Sequence, residues 1–253
     1  MGEGDEARAE PASAGLIARL KRVENPALRT FLLYARGTGH WLAHGHVLRR
    51  REVQRYLEGT AAPRLHVGGG PIHLEGWLNA DLISGDAYLD LTRRLPLPDA
   101  RFDFVYSEHT IEHIPDSAVD RLLREIHRVL RPGGVVRLTT PDLKKLIAIY
   151  EDRNPVVSRD DYARHMTSIT GKAHDRACQS FNDALRLWGH RYIFDEEDLG
   201  ARLRGAGFEQ VRRCENRDSD HDALRDLERH GGADWMNDAE AMTLEATRSA
   251  RRS

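Results

Sequence analysis

The chain has 253 residues, 31% of them charged and 40% hydrophobic, with a formal net charge of -2. This length suits one domain with additions, and the near-zero charge gives no reason to expect a nucleic-acid or membrane partner. The sequence has no apolar run of about 18 residues that would span a membrane, and its start lacks the apolar segment of a secretory signal. Cys178 and Cys214 show neither disulfide nor metal-site spacing, which predicts reduced thiols in a cytoplasmic protein.

Residues 13–60 are predicted to be a helical extension before the first strand. Residues 1–12 are dominated by Glu, Asp, Ala, Gly and Pro, which predicts a disordered lead-in. Apolar residues then recur at helical spacing in 14–23, 28–34 and 47–57. These helices are candidates for a lid, for a homodimer contact, or for simple packing against the sheet. The arginine-rich run 49–55 is interpreted as a solvated helix face, because no aromatic residues interleave with it.

The part of the chain from 61 to 248 alternates between strand and helix patterns. Strands are predicted at 64–68, 77–82, 87–90, 102–107, 134–140, 208–214 and 241–246, and helices at 116–130, after an N-cap at Asp142, and at 195–204. This alternation predicts an α/β fold. Residues 215–232 are charged and turn-rich, and residues 249–253 form a loose tail.

The first predicted strand ends in three glycines, Gly68, Gly69 and Gly70, and glycine there lets the backbone approach a ligand closely. The next two strands each end in an acid, Asp81 and Asp90. In open α/β sheets ligands bind beyond the carboxyl ends of the strands, so these residues should converge on one site. Because Asp81 can accept from ribose hydroxyls and Asp90 from an exocyclic amine, the pattern predicts a nucleoside pocket.

Several segments occur in a characteristic order: LHVGGG, WLNADL, YLDLTRRLPLPDARFDFVYSEHTIEHI, LLREIHRVLRPGGVVRLTTPDL and FDEEDLGARLRGAGFEQV. With them the chain resembles the class I S-adenosylmethionine (SAM) dependent methyltransferases, in the small-molecule, type 11-like branch. The resemblance implies a Rossmann-like, seven-stranded, mostly parallel sheet with helices on both faces and a C-terminal antiparallel hairpin. It also implies SAM as cofactor and S-adenosylhomocysteine as product. The cofactor-binding residues it indicates are Gly68, Gly69, Gly70, Asp81, Leu82, Asp90, Leu91 and Glu108.

Two features depart from the family pattern. The connection between the first two strands, Pro71 to Gly76, is too short for the usual helix, since a parallel crossover normally takes about a dozen residues. His66 stands where the family usually has an acid, two residues before the first glycine. We interpret it as a buried, hydrogen-bonded histidine.

Ser107, Glu108 and His109 leave the sheet beside the expected sulfonium. Methyl transfer is an in-line displacement in which positioning contributes much of the rate, and a base is needed only for a hydroxyl or a protonated amine. His109, with an intrinsic pKa of about 6.5, is the candidate base. Glu108 would orient it or bind a substrate cation; the alternative is that Glu108 only contacts the amino group of the cofactor.

His109 to His113 also spells H-x-x-E-H, the zinc motif of inverted metallopeptidases. A zinc site of that type needs the motif inside a long helix and a further ligand downstream. Here the motif follows a strand directly and stands next to Pro115. We therefore predict no metal.

Residues 152–192 are polar and predicted to be loop-like, and they lie where the resembling enzymes build acceptor specificity. The candidate acceptor contacts are His113, Asn182, Trp188, His190 and Tyr192. Their amide, indole, imidazole and phenol groups suit a hydroxylated acceptor; the alternative is a loop packed by its own aromatic rings.

The resulting prediction is methyl transfer from SAM to oxygen or nitrogen of a small polar molecule such as a sugar or natural product. One alternative is a SAM-fold binding or regulatory protein without methyl transfer. Another, a nicotinamide-dependent oxidoreductase, needs a complete G-x-G-x-x-G motif and an acid about 20 residues further on, and the sequence supplies neither cleanly.

Overall fold

The computed structural model describes residues 46–82, 85–229 and 234–250. The lead-in, the first two N-terminal helices and the end of the tail lie outside those ranges. The third N-terminal helix is present as α1 (His46–Gly59). Its Arg50, Arg51 and Arg55 are exposed, as a solvated face requires. The hydroxyl of Tyr56 on α1 lies 2.9 Å from both the Arg64 and the Gly76 carbonyl and can donate to either, so this helix packs against the sheet.

Seven strands form one sheet in the order β3-β2-β1-β4-β5-β7-β6. They are β1 (Arg64–Val67), β2 (Leu78–Asp81), β3 (Ala87–Tyr88), β4 (Phe102–Glu108), β5 (Leu130–Pro141), β6 (Phe208–Cys214) and β7 (Ala241–Arg248). Pairing is parallel from β3 through β5, and β7 runs antiparallel to both β5 and β6. The predicted seven-stranded, mostly parallel sheet with a C-terminal antiparallel hairpin is confirmed.

The other helices of the described residues follow α1 along the chain. They are α2 (Asp116–Val129), α3 (Leu143–Tyr150), α4 (Arg159–Thr170), α5 (Ala177–Arg186), α6 (Glu196–Gly205) and α7 (Asp234–Glu240), with 3-10 turns at Ile111–His113, Leu187–Gly189 and Asp222–Leu224. Asp142 caps α3 by accepting from the Lys144 amide, as predicted, and Asp195 caps α6 by accepting from the Asp198 amide. No helix in the described ranges combines the length and apolar character that a membrane crossing needs.

The loop-like prediction for residues 152–192 is wrong, because most of this segment is helical. Ser158 caps α4 by accepting from the Asp161 amide, and Gly171 ends it in a left-handed conformation with φ +71°. Tyr162 and Met166, one turn apart, pack into a small apolar cluster with α3. Because residues 152–192 are mostly polar, the narrow apolar stripe formed by Tyr162 and Met166 was not recognised from the sequence.

The shortened crossover between β1 and β2 contains no helix, as predicted; every residue from 68 to 77 is described. The buried Asn79 side chain takes the place of helix hydrogen bonds here. Its Nδ2 donates to the Leu74 and Trp77 carbonyls, each at 3.0 Å, and its Oδ1 accepts from the Leu74 amide at 2.8 Å. One amide side chain thus provides hydrogen-bond partners for backbone groups of a crossover that is too short to form a helix.

The connection between β6 and β7 crosses the carboxyl edge of the parallel strands, because β7 runs antiparallel to β5. Arg137 of β5, fully buried, anchors it. Its guanidinium donates to Glu228 Oε1 at 2.6 Å, Glu245 Oε1 at 2.7 Å and the Asp218 carbonyl at 2.7 Å. The end of this connection and α7 therefore lie over the end of β4.

Candidate active site

The glycine turn after β1 is held from one side and open on the other. Gly68 has φ +72°, and a Cβ there would lie 2.3 Å from the Thr110 hydroxyl. A Cβ on Gly69 would lie 2.3 Å from the His66 ring. Gly70 has φ +55°, and no heavy atom of the described chain lies within 4 Å of the place its Cβ would take. The turn thus requires glycine and leaves space at Gly70.

The structure brings one of the two strand-end acids to this turn. Asp81, half-buried at the end of β2, accepts from the Gly70 amide at 3.1 Å, and the half-buried Leu82 follows it. Asp90 accepts from the Thr92 amide and hydroxyl at 2.9 and 2.6 Å and pairs with Arg93 at 3.2 Å. The Asp90 carboxylate therefore organises its own turn, and its contact with an adenine stays a prediction, as does that of the buried Leu91.

His66 is a buried, hydrogen-bonded histidine, which confirms the interpretation of this departure. Its Nδ1 lies 3.0 Å from Asn79 Oδ1, and its ring stacks on Tyr106 with centroids 5.3 Å apart. Burial lowers the pKa of His66. The His66 ring packs against the glycine turn at Gly69.

Beyond β4, Asn237 of α7 joins the two residues predicted to do chemistry. Both carboxylate oxygens of the buried Glu108 accept from the Arg229 amide at 3.1 Å, and Oε1 accepts from Asn237 Nδ2 at 2.9 Å. His109 has φ +44° and places its Nε2 2.9 Å from Asn237 Oδ1. Its Nδ1 lies 3.3 Å from Glu112 Oε1. A left-handed histidine at a strand end is an uncommon conformation that concentrates at functional sites.

Electrostatics oppose the predicted base role of His109. Burial alone would lower its pKa, but the hydrogen bond and charge of Glu112 outweigh burial and raise it to about 9. Burial alone would raise the pKa of Glu112, but the hydrogen bond and charge of His109 outweigh burial and lower it to about 2. The pair is then an imidazolium and a carboxylate near neutral pH, and an imidazolium cannot accept a proton. This environment favours His109 as a group that orients Glu112.

His113 and His190, both predicted acceptor contacts, meet at this cluster. Their ring centroids lie 4.9 Å apart, and His113 Nε2 is 3.9 Å from Glu112 Oε1. Burial lowers the pKa of His190 to about 4. Trp188, 40% exposed and at φ +62°, lies 5.9 Å from the His190 ring. We refer to Glu108, His109, Glu112, His113, His190 and Asn237 as the acceptor-side cluster.

Two predicted acceptor residues point elsewhere. Asn182 Nδ2 donates to the Cys178 carbonyl one turn back, at 2.9 Å. The Tyr192 ring packs on Phe194 at 4.7 Å and under the Arg202 guanidinium at 5.1 Å. Neither side chain contacts the acceptor-side cluster in these interactions, although the Tyr192 amide donates to the Glu112 carbonyl at 3.2 Å.

Sequence reasoning missed the residues that the β6–β7 connection contributes. Besides Asn237 and Arg229, Glu240 lies beside the cluster and accepts from the Tyr162 hydroxyl at 2.7 Å. Burial raises the pKa of Glu240. The available signal was topological: a strand antiparallel to β5 must begin at the carboxyl edge, so the segment before it has to cross that edge.

The acceptor-side cluster and the glycine turn are neighbours. The Thr110 hydroxyl lies 3.1 Å from the Gly68 carbonyl and 3.0 Å from the Glu108 carbonyl, so one side chain contacts both. The arrangement places the glycine turn with Asp81 and the polar acceptor-side cluster side by side at one sheet edge. This fold and site define a Rossmann-like domain of the methyltransferase type.

Comparisons with known proteins agree with that class. A family model described as "Methyltransferase domain" matches residues 75–138. The ubiquinone/menaquinone biosynthesis C-methyltransferase UbiE of Pseudoalteromonas translucida is 26% identical over 184 residues, which cover 70% of this chain and 65% of the relative. A probable S-adenosylmethionine-dependent methyltransferase of Mycolicibacterium smegmatis is 50% identical over 48 residues, 19% of this chain and 18% of the relative. The chain thus spans less than two thirds of the length of either relative.

Among solved structures, the chain is similar to a SAM-dependent methyltransferase of Thermotoga maritima described as a possible histamine N-methyltransferase. The two are 16% identical with a TM-score of 0.44, over 87% of this chain and 100% of that one. The family match, the relatives and the sheet order support a class I SAM-dependent methyltransferase.

SAM is the cofactor of that family, and the residues at this edge fit its nucleoside end. Gly70 leaves space for a ligand, and the Asp81 carboxylate lies against it as an acceptor for ribose hydroxyls. At the end of β4, the buried Glu108 carboxylate has the chemistry to accept from a cationic amino group.

Proposed function

We propose that the chain transfers the methyl group of SAM to oxygen or nitrogen of a small polar acceptor, such as a sugar or another hydroxylated metabolite. The observation that carries the proposal is the position of the acceptor-side cluster, one threonine side chain away from the glycine turn. SAM supplies the electrophilic methyl group when it is bound.

In this proposal the protein's own residues bind and orient. Asp81 and the glycine turn hold the nucleoside, and Glu108 receives the amino group of the cofactor or a cationic group of the acceptor. The imidazolium of His109 fixes Glu112 and donates to Asn237 Oδ1, so it contributes a fixed positive charge rather than a base. Such fixed, water-poor geometry lowers the barrier of an in-line displacement by positioning.

The charged and amide groups of the cluster support a polar acceptor. Covering buried carboxylate, imidazole and amide groups with an apolar ring that makes no hydrogen bonds is unfavourable. Hydroxyl or amino groups of an acceptor would supply those hydrogen bonds. A second candidate is C-methylation of a quinone, which the name of the UbiE relative favours. A third is a protein of this fold that binds SAM without transferring its methyl group.

A two-stage experiment separates these candidates. Calorimetric titration with SAM, S-adenosylhomocysteine and NAD comes first; we expect micromolar binding of the first two and none of NAD. Methyl-labelled SAM is then incubated with hydroxylated and amine metabolites and with a demethylated quinone. Label on oxygen or nitrogen of a polar acceptor supports the proposal, and label on a quinone carbon would replace it. SAM binding without transfer to any acceptor would favour the binding protein.

A further inference from the structure

We propose that Glu112, His113 and His190 form a binding site for a divalent first-row transition-metal ion, with Zn²⁺ as the best match. These three side chains belong to the acceptor-side cluster, but the inference goes beyond the proposed methyl transfer, because ion binding by them can be measured without any methyl acceptor. Two imidazoles and one carboxylate are ligand types that Zn²⁺ uses in proteins.

The distances between the ligand atoms are close to those of a metal site. One ligand atom from each residue lies within 4.8 Å of the other two. Glu112 Oε1 and His113 Nε2 are 3.9 Å apart. Tetrahedral Zn²⁺ with bonds of about 2.0–2.2 Å holds its ligand atoms about 3.3 Å apart. Side-chain adjustments of about 1.5 Å or less in these separations would therefore complete the site.

Glu112 supplies a second observation that points to a cation. Its side chain is fully buried, and its Oε2 accepts from the Thr140 hydroxyl at 2.9 Å. Its Oε1 receives no well-aligned hydrogen bond from the described residues; its nearest partner there is His109 Nδ1 at 3.3 Å. A carboxylate oxygen has lone pairs for more than one partner, so Oε1 can bind a metal ion while it stays close to His109.

His190 is positioned as metal-binding histidines usually are. Its Nδ1 lies 2.9 Å from the Ala184 carbonyl and donates to it, which leaves the lone pair on Nε2. The Arg191 and Tyr192 amides donate to the Glu112 carbonyl at 2.7 and 3.2 Å. The backbone after His190 is thus clamped to the turn that carries the other two ligands.

This site differs from the zinc site that H-x-x-E-H forms in metallopeptidases. The motif lies on a 3-10 turn after β4 rather than in a long helix, and His109 is turned towards Asn237. In the proposed site the glutamate is itself a ligand, and His190 is the ligand from further along the chain. The His113 side chain is 34% exposed, which provides an entry path and a side from which a fourth ligand can bind.

The test uses full-length protein without a histidine tag, stripped with a chelator and then titrated with Zn²⁺ against a chromophoric competitor. We expect one equivalent to bind to the wild type. His190→Ala and Glu112→Gln should each bind at least about tenfold more weakly, the scale on which even outer-shell changes act. His174→Ala is the matched control, because His174 is also buried but pairs with Asp183 at 3.1 Å, outside the site. Co²⁺ substitution should give visible absorption bands in the wild type and the control only.

Two results would overturn the site: no stoichiometric Zn²⁺ binding by the wild type, or equal affinity in wild type and His190→Ala. His190 is only half-buried, so its variant decides the question even where Glu112→Gln does not fold, as circular dichroism would show. SAM titration of the same samples separates the two proposals. SAM binding without Zn²⁺ binding refutes the metal site alone, and Zn²⁺ binding without SAM binding refutes the cofactor assignment alone.

Discussion

The two halves of the candidate site are built in opposite ways. The nucleoside half consists of a backbone turn and an acid close in sequence: Gly70 and Asp81, which share a hydrogen bond, are 11 residues apart. The acceptor half is assembled from distant segments. Glu108 and Asn237 are separated by 129 residues, and His109 and Asn237 by 128.

Under the proposed function, this difference follows from what each half would recognise. A nucleoside can be bound by backbone amides and one carboxylate, which a strand–turn–strand unit supplies locally. An acceptor needs side chains from several directions, and on this scaffold they come from connections over the sheet edge. The acceptor half therefore depends on remote anchors that the nucleoside half does not need.

The largest effect is expected from removing the remote anchor Arg137. Arg137→Met leaves the buried Glu228 without its cation and leaves Glu245 paired with Arg212 alone, and breaking a buried ion pair from one side costs about 3–5 kcal/mol of unfolding free energy. Arg225→Met is the control on the same connection, because its ion pair with Asp222 is exposed and worth about 0–1 kcal/mol. Urea unfolding measures both. Equal losses would show that the connection is not anchored at Arg137.

The glycine turn provides the next largest effect. Gly68→Ala should lower the free energy of unfolding for two reasons. The left-handed backbone costs about 1–2 kcal/mol with a side chain present, and the clash of the new Cβ with Thr110 costs about 1–3 kcal/mol. Gly76→Ala is the matched control: it has φ +77° but no heavy atom of the described chain within 4 Å of a Cβ, so only the first cost applies. Thermal unfolding should rank wild type above Gly76→Ala and that above Gly68→Ala. The reverse order of the two variants would rule out close contact between the turn and Thr110.

The same contrast explains how much the sequence could predict. Local sequence patterns predicted the succession of strands and helices along the chain, because strands repeat with period 2 and helices with period 3.6. They also predicted the caps at Asp142 and Asp195 and the glycine turn. Asn237 could not be assigned, because its importance depends on a contact made only when the β6–β7 connection crosses the sheet edge. His109 was identified as a candidate, but its raised pKa could not be predicted, since the neighbouring Glu112 determines its protonation.

A smaller effect is expected from the nucleoside half when its acid is removed. Asp81→Ala should weaken SAM binding by about 1–3 kcal/mol, about 5- to 150-fold in Kd, the scale of a lost buried hydrogen-bond partner. Asp99→Ala, which removes an exposed loop acid paired with Arg128, should leave Kd unchanged. Calorimetry measures both variants. An unchanged Kd for Asp81→Ala would refute the assignment of the ribose to this residue.

The smallest loss of stability, and the most specific test of the acceptor half, comes from Asn237→Ala. The change removes the amide that donates to Glu108 and accepts from His109, at about 1 kcal/mol of unfolding free energy. Asn154→Ala is the control, since it also loses a hydrogen bond to α7, at the Ala239 carbonyl, but lies outside the cluster. If Asn237 only stabilises the fold, both variants lose stability and keep the same kcat. If it positions Glu108 and His109, kcat falls in Asn237→Ala alone, while SAM affinity changes less than kcat because the glycine turn and Asp81 are untouched.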